Sequence, residues 1–413
     1  MTPYTPTRRA LLQAAALTGL GSIGIVRAQG RPRGDARLVV VLLRGAMDGL
    51  SLVVPHADPA YAEARPTIGI PRPGETDGAL PLDDRHGLHP AFAAMHPYWA
   101  SGRLAFVHAS GSPDPTRSHF DAQDYLESAT PGRKSTADGW LNRLAAEIAG
   151  PGARPEAQRL LALNVGPTMP RILTGEAAVA SLASGNAAVT PGALDDPATA
   201  AAFARLYAGD DRLSLAVREA AATRRDIMGN LASDDPSADR GALSLVGLAR
   251  DTARLGALMQ RDARIRLAFV PVGGWDTHAN QGAARGQLAN RFRLLAEALD
   301  ALAAGLGDQL ARTSILVMSE FGRTLHQNGT GGTDHGHGNV AFVLGGGVRG
   351  GRVLGAWPGL ERSALYEGRD LAVTTDFRDI IADVLERGFR LRDAALADVL
   401  PGMTARRVVG LYA

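Results

Sequence analysis

The chain has 413 residues, 45% of them hydrophobic, and a formal net charge of +2; a sizeable core is affordable, and no basic surface for nucleic acid is indicated. It contains no cysteine, which excludes disulfides, thiolate metal sites and cysteine nucleophiles and leaves His, Asp and Glu to hold any metal. Lys134 is the single lysine among 44 basic residues, which argues against Schiff-base chemistry and against a Walker phosphate loop.

Residues 1–28 read as a twin-arginine leader. Arg8-Arg9 precede an Ala/Gly-rich apolar stretch, Ala14 to Val26, too short for a stable membrane span, and Val26-Arg27-Ala28 offers a small-residue cleavage site. The expected destination is the periplasm or the exterior, with the twin-arginine translocase as a partner during export. Residues 29–413 are expected to form one α/β domain.

Leu38 to Leu43 is an unbroken apolar run, the pattern of a strand buried on both faces of a parallel sheet. Glycines end it at Arg44 to Gly49. Pro55 to Pro90 is irregular, Ala91 to Ala100 reads as a short helix and Leu104 to Ala109 as a strand. Ser118 is placed to cap a helix over His119 to Leu126. A strand follows at Leu160 to Val165, then Ala-rich helices near 197–208, 213–231 and 241–259. The stretch around 170–264 carries no catalytic signature and reads as a cap, an insertion or covering helices. Ile265 to Val272, Ser314 to Ser319 and Val340 to Leu344 read as strands. Gly282 to Gly305 and Asp376 to Arg387 read as amphipathic helices. Strand, long helix, strand is a parallel crossover, so the expected fold is a large, mostly parallel sheet with helices on both faces.

In such sheets ligands bind beyond the carboxyl ends of the strands, where this sequence concentrates its acids and histidines. Asp48 follows the first strand, Asp276 and His278 the Ile265 strand, and Glu320 the Ser314 strand. Asp334, His335 and His337 lie just before the Val340 strand, behind a glycine-rich approach. Asp276 with His278, and His335 with His337, share an i, i+2 spacing that directs both members to one side of extended backbone. Carboxylate plus imidazole suits Zn²⁺ or Mn²⁺, whereas a mostly carboxylate subset suits Ca²⁺ or Mg²⁺. Ser118, at a helix N-terminus beside Arg117, is the candidate nucleophile, with Ser112, Thr116 and His119 as competitors. No G-x-S-x-G string is present, so a metal is the more natural activator.

The strings around Asp48, Arg117-Ser118-His119-Phe120, Gly274-Trp275-Asp276-Thr277-His278, Ser319-Glu320-Phe321-Gly322-Arg323 and Thr333-Asp334-His335-Gly336-His337 together resemble domain-of-unknown-function family 1501. That family looks like a branch of the alkaline phosphatase superfamily, whose members transfer or hydrolyse phosphate and sulfate groups with one or two metals. The resemblance implies an alkaline-phosphatase-like fold, metal ligands among Asp48, Asp276, His278, Glu320, Asp334, His335 and His337, and Ser118 as nucleophile. It also implies Arg117, His119 and Arg323 around a small anionic ester substrate. Either Glu320-Phe321 or Asp334-His335 matches the superfamily's Asp-His pair. Two functions remain open: an exported metal-dependent ester hydrolase, and a catalytically silent binding protein on the same fold.

If the leader works as read, changing both Arg8 and Arg9 to Lys should leave unprocessed precursor in the cytoplasm, measured by fractionation and immunoblotting. Undiminished export of that variant would contradict the reading.

Overall fold

The computed structural model describes residues 34–150, 161–166, 168–184, 197–211, 213–215, 217–218, 245–403 and 410–412. The leader and most of the helix expected over 213–231 lie outside them. Residues Arg31–Ala413 form one unit, and among the described residues no helix is long and apolar enough to cross a membrane.

Twelve strands are numbered in chain order: β1 Arg37–Leu43, β2 Val53–Val54, β3 Leu80–Pro81, β4 Gly87–Leu88, β5 Leu104–Gly111, β6 Ala162–Val165, β7 Val179–Leu182, β8 Leu267–Val272, β9 Thr313–Ser319, β10 Asn339–Gly345, β11 Arg352–Leu354 and β12 Thr375–Asp376. The main sheet has the order β11-β5-β10-β9-β1-β8-β6-β7, with β12 paired to β5, and β2, β4 and β3 form a small separate sheet. Every strand of the main sheet runs parallel to β1 except β10, which is antiparallel to both β9 and β5.

The continuous apolar runs arise because the sheet is buried on both faces. Val39, Val41 and Leu43 of β1 enter one core, together with alternate residues of β8, β9 and β10. Leu38, Val40 and Leu42 enter the other, as the two-residue period of a strand requires. The first core is covered by helices α3 (Leu245–Arg261) and α4 (Gln287–Leu306) and by the turn at Pro90–Met95. The second is covered by α2 (Trp140–Ala149) and α5 (Phe377–Asp383), with Leu126 of α1 (His119–Ser128) at its margin. Leu248, Leu255, Leu258 and Met259 put α3 on the sheet, so this part of 170–264 is a covering helix.

Several boundaries differ from the sequence reading for local reasons. α4 begins at Gln287, five residues later than expected, because Gly282 and Gly286 have φ of +79° and +119° and cannot continue a right-handed helix. The last expected helix is α-helical only to Asp383 and continues as a π-helical turn over Val384–Gly388.

Buried histidines give the fold an acid limit. His108 on β5 accepts the Ala109 N–H at 3.1 Å through Nδ1, so its Nε2–H donates to the Val53 carbonyl at 2.9 Å. Burial, reinforced by neighbouring His86, pushes its pKa down to about 3, and burial takes His89 down to about 4. An unfolded histidine titrates near ~6.5, so below that pH the unfolded chain binds protons that the folded one refuses. Stability from these residues is present above ~6.5 and is lost as pH falls, down to about 4 for His89 and about 3 for His108. Each should cost about 2 kcal/mol by roughly pH 5. Thermal melts across this range should show the loss, and His108→Gln, which keeps a donor for Val53, should make it shallower.

Candidate metal centre

Residues following β1, β5, β8 and β9 emerge at one edge of the sheet. Because β10 runs the other way, the segment preceding it arrives at that same edge. The antiparallel strand thus delivers Asp334 and His335 to the loops carrying His119, Asp276, His278 and Glu320.

His119, Asp276 and His335 each offer a ligand atom within 4.8 Å of the others. The Nε2 atoms of His119 and His335 are 3.0 Å apart. His278 adjoins them, its Nε2 3.0 Å from His335 Nε2 and 3.0 Å from Asp276 Oδ1. Asp276 also approaches His335 Nε2 at 3.4 Å and His119 Nε2 at 3.6 Å. Each imidazole has an acceptor at its other nitrogen: His119 Nδ1 faces Glu320 Oε1 at 2.7 Å, His278 Nδ1 faces Asp334 Oδ1 at 3.0 Å, and His335 Nδ1 faces the Arg117 carbonyl at 3.0 Å. These acceptors favour a proton on Nδ1 in all three rings and turn the three Nε2 atoms toward one carboxylate, where each can serve as a ligand once it carries no proton.

Such a set fits a cation well. Ligands about 2.1 Å from a shared ion lie roughly 3.0–3.4 Å apart, and a partner on the far ring nitrogen is the usual support for a metal-bound histidine. The donor set, three imidazoles and one carboxylate, suits a borderline divalent ion better than Ca²⁺ or Mg²⁺. Asp276 and His278 side chains are about half exposed, which leaves the centre open to a ligand from solution.

Two buried arginines hold the loops beneath it. Arg323 donates to the carbonyls of Ala46, Gly45, Trp275 and Thr333 and to Asp276 Oδ1 at 2.5 Å. Burial would raise the Asp276 carboxyl, but Arg323 and the nearby histidines hold it below the usual range. Arg65 pairs with Asp48 at 2.6 Å, both side chains fully buried, and donates to the Leu325 and Thr324 carbonyls. Ser51 and Gln281 complete the Asp48 carboxylate at 2.7 Å each. Burial pushes the Asp48 pKa up; the Arg65 charge and these hydrogen bonds outweigh it and keep the group ionised. Close approach of the loops requires glycine at position 45, where φ is +112° and a Cβ would lie 2.7 Å from the Asp276 nitrogen.

These placements revise several expected roles. Asp48 is spent on Arg65 and lies outside the ligand group. Glu320 and Asp334 support His119 and His278 from behind; burial would raise the Glu320 pKa, but the His119 hydrogen bond, with those from Gln123 and the Gly45 N–H, overcomes it and lowers the pKa. His337 stacks on Tyr366 with ring centroids 4.4 Å apart. Arg323 is only 1% exposed and bonded within the chain, so a substrate has no access to it. Arg117 pairs with Glu367 and Asp370. His119, expected beside the substrate, stands in the ligand group instead. Ser118 is exposed at the start of α1, and its hydroxyl accepts the Asp121 N–H at a long 3.5 Å. Arg291 was not singled out from sequence: its Nη1 is buried without a hydrogen-bond partner among the described residues, and its guanidinium lies beside Gly274. Burial lowers its pKa against the pull of Asp276.

A family model described as a protein of unknown function, DUF1501, matches residues 85–401. The chain belongs to this family. The match contains His119, Asp276, His278, Glu320, Asp334 and His335, while Asp48 and Arg65 precede it. A search of the curated proteins finds no match. Among solved structures this DUF1501 chain is similar to Ps i-CgsB in complex with k-i-k-neocarrahexaose, at 10% identity and TM-score 0.42, covering 89% of this chain and 75% of the other. It is also similar to a protein in the alkaline phosphatase superfamily from Vibrio parahaemolyticus, at 8% identity and TM-score 0.39, covering 93% and 76%. A third is a 2-O GAG sulfatase, at 9% identity and TM-score 0.40, covering 91% and 76%.

Metal titration against a chromophoric chelator should show one Zn²⁺ bound per chain. His335→Ala should abolish that binding, and Glu320→Gln should weaken it roughly 10- to 100-fold by removing the support of His119. His337→Ala should leave the affinity unchanged.

Proposed function

We propose that this protein is an exported, metal-dependent hydrolase of phosphate or sulfate esters. The observation that carries the reading is the convergence of three imidazole Nε2 atoms and the Asp276 carboxylate at an open strand edge. A divalent cation held there supplies a Lewis acid for a developing negative charge. The chain's own residues supply the remainder. Arg291, partly buried beside Gly274 and within the electrostatic reach of Asp276, takes a share of the anionic head group through the exposed part of its guanidinium. The free N–H groups in the first turn of α1 offer a second anion-stabilising surface.

The attacking group in this reading is Ser118. It precedes the ligand His119 in the chain, and among the described residues its hydroxyl is held by only the 3.5 Å capping bond, so little is lost when it turns toward an ester. Asp276, pinned by Arg323, stays ionised at neutral pH and keeps its place while substrate enters.

The test is turnover of 4-nitrophenyl phosphate and 4-nitrophenyl sulfate by protein loaded in turn with Zn²⁺, Mn²⁺, Ca²⁺ and Mg²⁺. Ser118→Ala should lower turnover by a hundredfold or more, on the order seen when a nucleophile is deleted, with metal content unchanged. Asp276→Asn should lose both. Arg291→Met should raise KM about tenfold or more, since a charge-assisted bond to the anion is lost. Wild-type protein that holds metal but turns over neither ester with any of the four ions would instead support the silent binding protein.

A further inference from the structure

An open cleft of about 520 Å³ lies beside the loops that carry the metal centre, with Arg44, Phe120, Gln123, Met169, Arg171 and Gly273 in its wall and none of the four ligand residues among its lining. Phe120 is 89% exposed and Met169 44% exposed. A phenyl ring on the first turn of a helix whose later residues Ala122, Tyr125 and Leu126 are buried has been left in water at a cost in apolar surface. The cleft and the centre share their supports. Phe120 follows the ligand His119, and Gln123 donates at 2.9 Å to Glu320 Oε1, the oxygen that faces His119 Nδ1. Gly273 opens the loop that carries Asp276, and nothing lies within 4 Å of the position a Cβ would take there. The charges of the wall are balanced internally: Arg44 pairs with Glu127 at 2.7 Å and Arg171 with Asp124 at 2.5 Å. A site of this kind, apolar on one side and neutral in sum, matches an uncharged ring with a flat apolar face, and its volume is in the range of small-ligand pockets.

We infer that this cleft is the subsite for the organic half of the ester, and that it takes a ring stacked on Phe120: an aryl ring, or the C–H face of a sugar. The inference deepens the hydrolase reading and rests on it for the anionic group that joins the ring to the metal centre. Binding, however, can be measured without turnover.

Calorimetry on the metal-loaded protein would compare phenylphosphonate with methylphosphonate, and 6-deoxy-6-sulfoglucose with methanesulfonate, four probes with no ester to cleave. In at least one pair the ring-bearing probe should bind about tenfold more tightly, in line with one aromatic stacking contact. Preference in the first pair alone identifies an aryl group and in the second a sugar. Phe120→Ala, safe for folding because the side chain is exposed, should erase the preference while metal content and binding of the methyl probes stay as in the wild type. The inference is overturned if neither pair shows a ring preference, if none of the probes binds, or if the preference survives Phe120→Ala. It also falls if that variant changes only the oligomeric state by light scattering, which would make the exposed ring a contact between copies of the chain. Loss of turnover with an intact ring preference would sink the hydrolase reading and leave the cleft standing.

Discussion

The site depends on two guanidinium groups buried beneath the strand ends. The loops after β1, β8 and β9 and the segment before β10 present backbone carbonyls with no sheet partner, and such groups are costly to bury unpaired. Arg323 gathers four of those carbonyls and Asp276. Arg65 gathers two more and is neutralised by Asp48. Gln281 joins the two systems to the β8 loop and the pre-β10 segment, because its amide oxygen accepts from Thr277 and Thr333 while its nitrogen donates to Asp48. A buried ion pair is weak evidence for net stability, but removing one partner strands the other charge. The arrangement therefore specifies the geometry of the loops more than it stabilises them.

On this base the ligand group is assembled in layers. The imidazoles are oriented by Glu320, Asp334 and the Arg117 carbonyl, and Glu320 is oriented in turn by Gly45, Gln123 and Ser319. Each ring is held at Nδ1 by one acceptor, which leaves its Nε2 facing Asp276 and the neighbouring rings. The price of such a centre is met by the surrounding fold, as expected when a cation is to be received in a ready-made position.

Much of this was legible in the sequence. Strands β1, β5, β8, β9 and β10 announce themselves because burial on both faces leaves mostly apolar runs, whereas β11 and β12, with three and two residues, are too short to show a pattern. Helix α2 was missed because its N-cap is Gly139, with no side-chain cap hydrogen bond. The i, i+2 pair Asp276 and His278 pointed to the centre directly. Asp48 could not be separated from the ligands, because an acid after a strand reads the same whether its counter-ion comes from solution or from Arg65, which belongs to no recognisable string. His119 was obscured by its neighbour Ser118, and its role became clear only when the sheet brought His335 within 3.0 Å of it. The reversed direction of β10 was invisible to periodicity, since a buried strand has the same composition in either sense.

The central place of β1 has a consequence in time. Its partners β8 and β9 begin at Leu267 and Thr313, so β1 waits for more than 220 residues of later synthesis before it can pair on either side. At typical elongation rates that delay is on the order of ten to fifty seconds. Throughout it an apolar run of six residues with high strand propensity, Leu38 to Leu43, stands unpaired, a nascent-chain aggregation hazard. Sheet closure, and with it the centre, arrives only as the last third of the chain emerges.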